Sequence, residues 1–110
     1  MPHCIIEYAK PIEQQVYVND IVALLHEGML ASGLFETPTV KTRAIAFNHY
    51  SVGEDDRLFV HVTVKMLVGR TVAQKKNLSV ALHTIISSLV SADVIRTVDI
   101  RNLDSRTYSK

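Results

Sequence analysis

Apolar residues alternate with polar ones along Leu58 to Val68, and this run is the clearest strand in the chain. Leu58, Val60, Val62, Val64 and Met66 fall on one face, with Phe59, His61, Thr63 and Lys65 on the other. Cys4 to Tyr8 is a shorter strand ended by Lys10-Pro11. Pro2 can open it, because the first residue of a strand tolerates a missing N–H. Lys41 to Tyr50 reads as a third strand, with Thr42, Ala44 and Ala46 opposite Lys41, Arg43, Ile45 and Phe47. A last strand fits Thr97 to Arg101. Elsewhere the period lengthens to that of a helix. Over Asn19 to Ala31 the apolar positions are Ile21, Leu24, Leu25 and Met29; Asn19 or Asp20 can cap the start, and Gly33 fits the end. Leu78, Ala81, Leu82, Ile85, Ile86 and Leu89 mark a longer helix opened by Thr71-Val72-Ala73-Gln74, which has the form of a capping box. Gly53 to Asp56 is a turn, and the tail to Lys110 is polar, a loop or an arm.

The order is β-α-β followed by β-α-β. The predicted fold is α+β (α/β-like): two β-α-β units forming a four-stranded sheet with two helices on one face, in a single domain over residues 1–110. Each unit should be a right-handed crossover with parallel strands. The other sheet face would carry Ile45, Phe47 and Phe59 beside Lys41, Arg43, His61 and Lys65. A parallel sheet is seldom left open to water on one side. Further copies of the chain should therefore cover that face.

Composition narrows the function classes. The 110 residues are 47% hydrophobic and carry a net charge of +1, so a globular core is within reach and no polyanionic partner is implied. Nucleic acid and membrane are thus not expected partners. No secretory signal and no membrane-length apolar run stands in the sequence, which points to a cytoplasmic protein. The single cysteine, Cys4, cannot form an internal disulfide and reads as a small buried hydrophobe.

Few residues are placed for chemistry. No histidine stands in a metal-ligand spacing with cysteine or carboxylate partners, and no phosphate-binding loop, dinucleotide fingerprint or nucleophile elbow is present, so no metal or cofactor is expected. Pro2 is the notable exception. Once Met1 is removed, and a small second residue permits removal, Pro2 offers a secondary amine fixed by its ring and strand. Burial and nearby cations would lower its pKa toward neutrality, where a general base is most useful. Against this stands the commonness of Met-Pro starts. Arg70 lies between the strongest strand and the strongest helix, where an arginine can hold a carboxylate bidentately or simply be solvated. Lys41 and Arg43 share the uncovered sheet face, as interface rim residues or as part of a site there. His3, beside Pro2, could orient the site; His61 could hydrogen-bond at an interface; His26 and His83 read as helix-surface residues.

The chain resembles the tautomerase superfamily, and within it the 5-carboxymethyl-2-hydroxymuconate Δ-isomerases. The likeness rests on Met1-Pro2-His3-Cys4-Ile5-Ile6-Glu7, then Ala31-Ser32-Gly33-Leu34-Phe35, Val40-Lys41-Thr42-Arg43, Phe59-Val60-His61-Val62-Thr63-Val64-Lys65 and Gly69-Arg70-Thr71. It is collinear over nearly the whole chain and fades after about Asp104. The resemblance implies a tautomerase-like fold assembled as a homotrimer. It also implies an isomerase of homoprotocatechuate degradation, converting an unsaturated 2-hydroxy-dienoate of the 5-carboxymethyl-2-hydroxymuconate type to its conjugated keto form. Pro2 would be the catalytic base, and Arg70, Arg43 and Lys41 would bind the carboxylate substrate, Arg43 acting from a neighbouring subunit. Some relatives resemble this chain with arginine at the position of Lys41; lysine keeps the charge and loses the bidentate fork. Two alternatives share the fold: another tautomerase activity, of the phenylpyruvate type, and a non-catalytic trimeric relative.

Overall fold

A computed structural model describes residues 1–110. Strand β1 (His3–Ala9) leads through a 3-10 turn into helix α1 (Val18–Ala31) and strand β2 (Lys41–Phe47). Strand β3 (Phe59–Leu67), helix α2 (Val72–Leu89) and strand β4 (Ile95–Leu103) repeat the pattern. The sheet order is β2-β1-β3-β4. Each unit has the expected parallel pairing, β1 with β2 and β3 with β4, but the central pair, β1 with β3, is antiparallel. The sheet is therefore mixed. Alternation assigns side chains to faces and says nothing about strand direction.

The antiparallel centre decides where the chemistry lies. It brings the start of β1 beside the end of β3, with His3 opposite Lys65. The parallel pairings add the start of β2 (His3 opposite Lys41) and the end of β4 (Leu67 opposite Leu103). Both chain termini thus meet at one end of the sheet.

The covered face is largely apolar. Cys4 and Ile6 of β1, and Val60, Val62, Val64 and Met66 of β3, are fully buried or nearly so under Ile21, Leu25 and Met29 of α1 and Leu78, Leu82 and Ile86 of α2. Each such side chain contributes about 1.5–3 kcal/mol on burial. The helix stripes are narrower than their sequence periods suggest. Leu24 is exposed, and Ala81 faces a groove of about 670 Å³ between the helices, lined also by Gly28, Ala31 and Ile85. Neither α1 capping residue acts as expected: the helix begins earlier, after Tyr17, whose backbone carbonyl takes the first turn's N–H bonds, and the Asn19 amide instead donates to the Tyr17 hydroxyl. The α2 capping box is present as read, with Gln74 N–H donating to Thr71 Oγ1 and Thr71 N–H to Gln74 Oε1. His26 is not a plain surface residue; its Nδ1 lies 2.7 Å from Thr42 Oγ1 on the covered face. Strand β2 stops at Phe47, short of Tyr50, while β4 extends at both ends beyond Thr97 and Arg101.

On the uncovered face Ile45 is 55% exposed. Phe59 packs between Phe47 and Tyr50, at centroid distances of 6.3 and 5.5 Å. His61 links to Thr97 Oγ1 through Nδ1 and to Thr63 Oγ1 through Nε2, so its ring is held within the sheet face. No helix is long and apolar enough to cross a membrane.

Candidate active site

The end of the sheet where the termini meet contains a cavity of about 240 Å³ lined by Met1, Pro2, Phe35, Glu36, Thr39, Leu67, Arg70 and Lys110. Pro2 enters from the start of β1, and its carbonyl accepts from Lys41 N–H, extending the parallel ladder by one bond. With Met1 in place, the free amine belongs to Met1 and donates to the Thr39 carbonyl at 3.1 Å. Burial lowers its pKa most, followed by the charges of Lys41 and Lys110. Glu36 opposes the shift and Arg70 adds to it. The surroundings therefore disfavour a cation at this terminus, as a neutral base requires.

Arg70 arrives from the opposite direction. Gly69 before it has φ 122°, a conformation that a side chain would strain, and this turns the chain out of β3 toward α2. The guanidinium then donates to the Leu34 carbonyl at 2.6 Å and to the Leu67 carbonyl at 3.3 Å, and lies 5.4 Å from the Phe35 ring centroid. Two carbonyls and an aromatic face hold the group in one plane, with its remaining N–H groups available to an anion. A freely solvated arginine would have none of these constraints.

Lys41 is near but outside the cavity wall; its ammonium donates to the Thr39 carbonyl, the same oxygen that accepts from the terminal amine. Arg43 is not brought to the cavity. It is exposed on the open sheet face and donates Nη1–H to His3 Nδ1 at 3.1 Å. A guanidinium has only donors, so Nδ1 must accept and the neutral His3 ring carries its proton on Nε2. That proton points to the Tyr108 hydroxyl oxygen at 2.8 Å. Burial, and then the charge of Arg43, hold the His3 pKa below its ordinary value.

Several residues here were not legible from the sequence. Tyr108 and Lys110 belong to the polar tail; Glu36 and Thr39 belong to the α1–β2 connection. Tyr108 is the one aromatic residue beyond the last strand, and that was the only signal in the tail. Cys4, two residues from Pro2 in sequence, is buried and its thiol is pushed up to about 12, which leaves it inert. No three histidine, cysteine or carboxylate side chains converge to hold a metal ion.

The fold has close counterparts. A 5-carboxymethyl-2-hydroxymuconate isomerase from Deinococcus radiodurans R1 superposes with a TM-score of 0.89 at 19% identity, covering 99% of this chain and 87% of that one. A 5-carboxymethyl-2-hydroxymuconate delta-isomerase gives 0.83 at 16% identity, covering 100% and 87%. A fused 4-OT described as a symmetric trimer gives 0.75 at 18%, covering 98% and 90%. At these identities the likeness shows the fold. No curated protein sequence matches the chain. The sequence profile of the 5-carboxymethyl-2-hydroxymuconate isomerases, however, matches residues 2–101. With the mixed four-stranded sheet and the proline-and-arginine edge, that match establishes that the chain belongs to the 5-carboxymethyl-2-hydroxymuconate isomerase family.

Proposed function

We propose that the chain is a cytoplasmic homotrimeric isomerase that converts a 5-carboxymethyl-2-hydroxymuconate-type dienol to its conjugated ketone, with Pro2 as general base after removal of Met1. The observation that carries this reading is the convergence of Pro2 and Arg70 on one small cavity, where burial first, and then the lysine charges, lower the pKa of the Met1 amine. The prolyl nitrogen accepts the proton of the 2-hydroxyl. The oxygen's electrons form the C2 carbonyl, the double bonds shift along the chain, and the same proton is returned to a distal carbon. One C–H bond forms as one O–H bond breaks, and no electrons are gained or lost overall. Arg70, fixed by two carbonyls, binds a substrate carboxylate and stabilises the developing dienolate. Arg43 acts from a neighbouring subunit on the keto-acid end, and Lys41 adds positive charge beside the amine.

Mass spectrometry of the purified protein, coupled to an assay of wild type and Pro2→Ala on a 2-hydroxymuconate-type dienol, tests the mechanism. The active protein should begin at Pro2, and the variant should lose about 10²–10⁴ in rate. Equal rates, or full activity with Met1 retained, exclude Pro2 as the base. Turnover of phenylenolpyruvate alone would indicate the phenylpyruvate-type activity instead. No turnover of either would indicate a non-catalytic relative.

A further inference from the structure

The last seven residues do not trail into solvent. After β4, Asp104 reverses the chain: its carbonyl accepts from Thr107 and Tyr108 N–H, and its carboxylate accepts from Arg106 Nε, Nη2 and backbone N–H. The reversal sends Tyr108 back to β1, where its hydroxyl meets His3 Nε2 and its ring stands edge-on to the imidazole at 6.1 Å between centroids. Two residues on, Lys110 lines the cavity of Pro2 and Arg70.

We propose that this segment completes the Pro2 site, with Lys110 as a specificity-determining residue that binds a second carboxylate of a polycarboxylate ligand and Tyr108 as the residue that positions it. The inference rests on the proposed isomerase reading and deepens it, by naming how a substrate with several carboxylates is told from one with a single carboxylate. Arg70 is committed to a fixed plane on one side of the cavity, so one anionic group is oriented there. A second anionic group in the same cavity needs a separate cation. Lys110 supplies it on a flexible stem that can adjust to the ligand's length. Glu36 is the one acidic side chain lining the space, against the Arg70 and Lys110 side chains. Lys41 adds positive charge through its effect on the amine. His3 ties the arrangement to the open sheet face, because one imidazole bonds both Tyr108 and Arg43.

The test uses binding of a non-reacting probe as well as turnover. Calorimetric titration of the full chain with tricarballylate, a saturated tricarboxylate, is compared with crotonate, a monocarboxylate. Lys110→Met should weaken tricarballylate about threefold to tenfold, as expected for an exposed charge, and leave crotonate unchanged. Lys110→Arg should bind tricarballylate as wild type does, and the charge control Lys76→Met should match wild type. Tyr108→Phe, which keeps the ring and loses the hydroxyl, should weaken tricarballylate in the same sense. Combined with Lys110→Met it should add nothing, because both act through one cation. The proposal is overturned if wild type binds tricarballylate no tighter than crotonate, if Lys110→Met binds it as wild type does, or if the two substitutions are additive. Loss of turnover with this binding pattern intact would count against the isomerase reading alone. Normal turnover with no Lys110 effect would count against the Lys110 site alone.

Discussion

His3 has two committed ring nitrogens, and its pKa is depressed chiefly by burial and by the Arg43 charge. The consequence is a pH dependence with a definite sign. Above about pH 7 the imidazole is neutral in both folded and unfolded chains, so its environment has no effect on the pH dependence. As the pH falls through about 6.5, the unfolded histidine takes a proton before the folded one does. The unfolded state then binds more protons, and stability falls with pH until the folded value is reached. His3→Gln should therefore lose less Tm than wild type between about pH 7.5 and pH 5. The four other histidines are common to both proteins and cancel in the comparison. Parallel melting curves would refute the assignment. Arg70 gives a second prediction at this scale. Lysine keeps the charge but cannot span the Leu34 and Leu67 carbonyls in one plane, so Arg70→Lys should lower kcat/KM about tenfold and Arg70→Ala about 10²–10³-fold. Steady-state kinetics on the dienol measures both, and a fully active Arg70→Ala would remove Arg70 from the mechanism.

Among the elements, the two helices meet at Gly28, where an added Cβ would lie 2.8 Å from Ile85 Cδ1 and 3.0 Å from Leu82 Cδ2. Both atoms end flexible side chains, so a methyl group can be accommodated by small shifts. Alanine also gains about 1 kcal/mol of helix propensity over glycine. Gly28→Ala should thus stay within about 1 kcal/mol of wild type, whereas Gly28→Val adds branching to a Cβ already pressed against Ile85 and Leu82 and should cost about 1–3 kcal/mol. Urea denaturation distinguishes them, and a Val variant as stable as the Ala variant would mean that the helix contact is loose. The helix pairing illustrates what the sequence could convey. Strand faces were legible because alternation has one solution for a half-buried strand, and the Thr71 cap because its partner is three residues away. The antiparallel β1–β3 pairing was not, since either direction satisfies the same alternation. Nor was the His3–Tyr108 bond, whose partners are separated by 105 positions and carry no local pattern. Pro2 and Arg70 could each be named from the sequence, but their meeting in one cavity depended on the strand direction that the sequence left open.

For the whole molecule, the unsolved physical problem is the second sheet face. Ile45 is exposed on the edge strand β2, the Phe47–Phe59–Tyr50 cluster lies on the same face, and Lys41, Arg43 and Lys65 share that face with Glu7, the residue paired with Ile45. Aromatic and aliphatic groups flanked by cations fit a surface that becomes an interface core with a charged rim. The mixed sheet weakens the original reason for expecting a cover, because a sheet with antiparallel pairing can leave one face in water. The exposed Ile45 restores it on other grounds. If three copies close around this face, each Ile45 becomes buried, contributing about 1.5–3 kcal/mol per chain. Ile45→Asp reverses that sign, because taking a carboxylate out of water beside Glu7 and the aromatic cluster costs several kcal/mol in each of the three chains. Wild type should sediment as three chain masses and the variant as one. Far-ultraviolet circular dichroism should stay unchanged, since Ile45 makes no part of the monomer core. Arg43 shares this face, so the same substitution should reduce turnover if a neighbour's Arg43 reaches the substrate. A monomeric variant with full activity would place catalysis wholly within one chain. A variant that remains trimeric would move the interface elsewhere and leave the open face without a role in assembly.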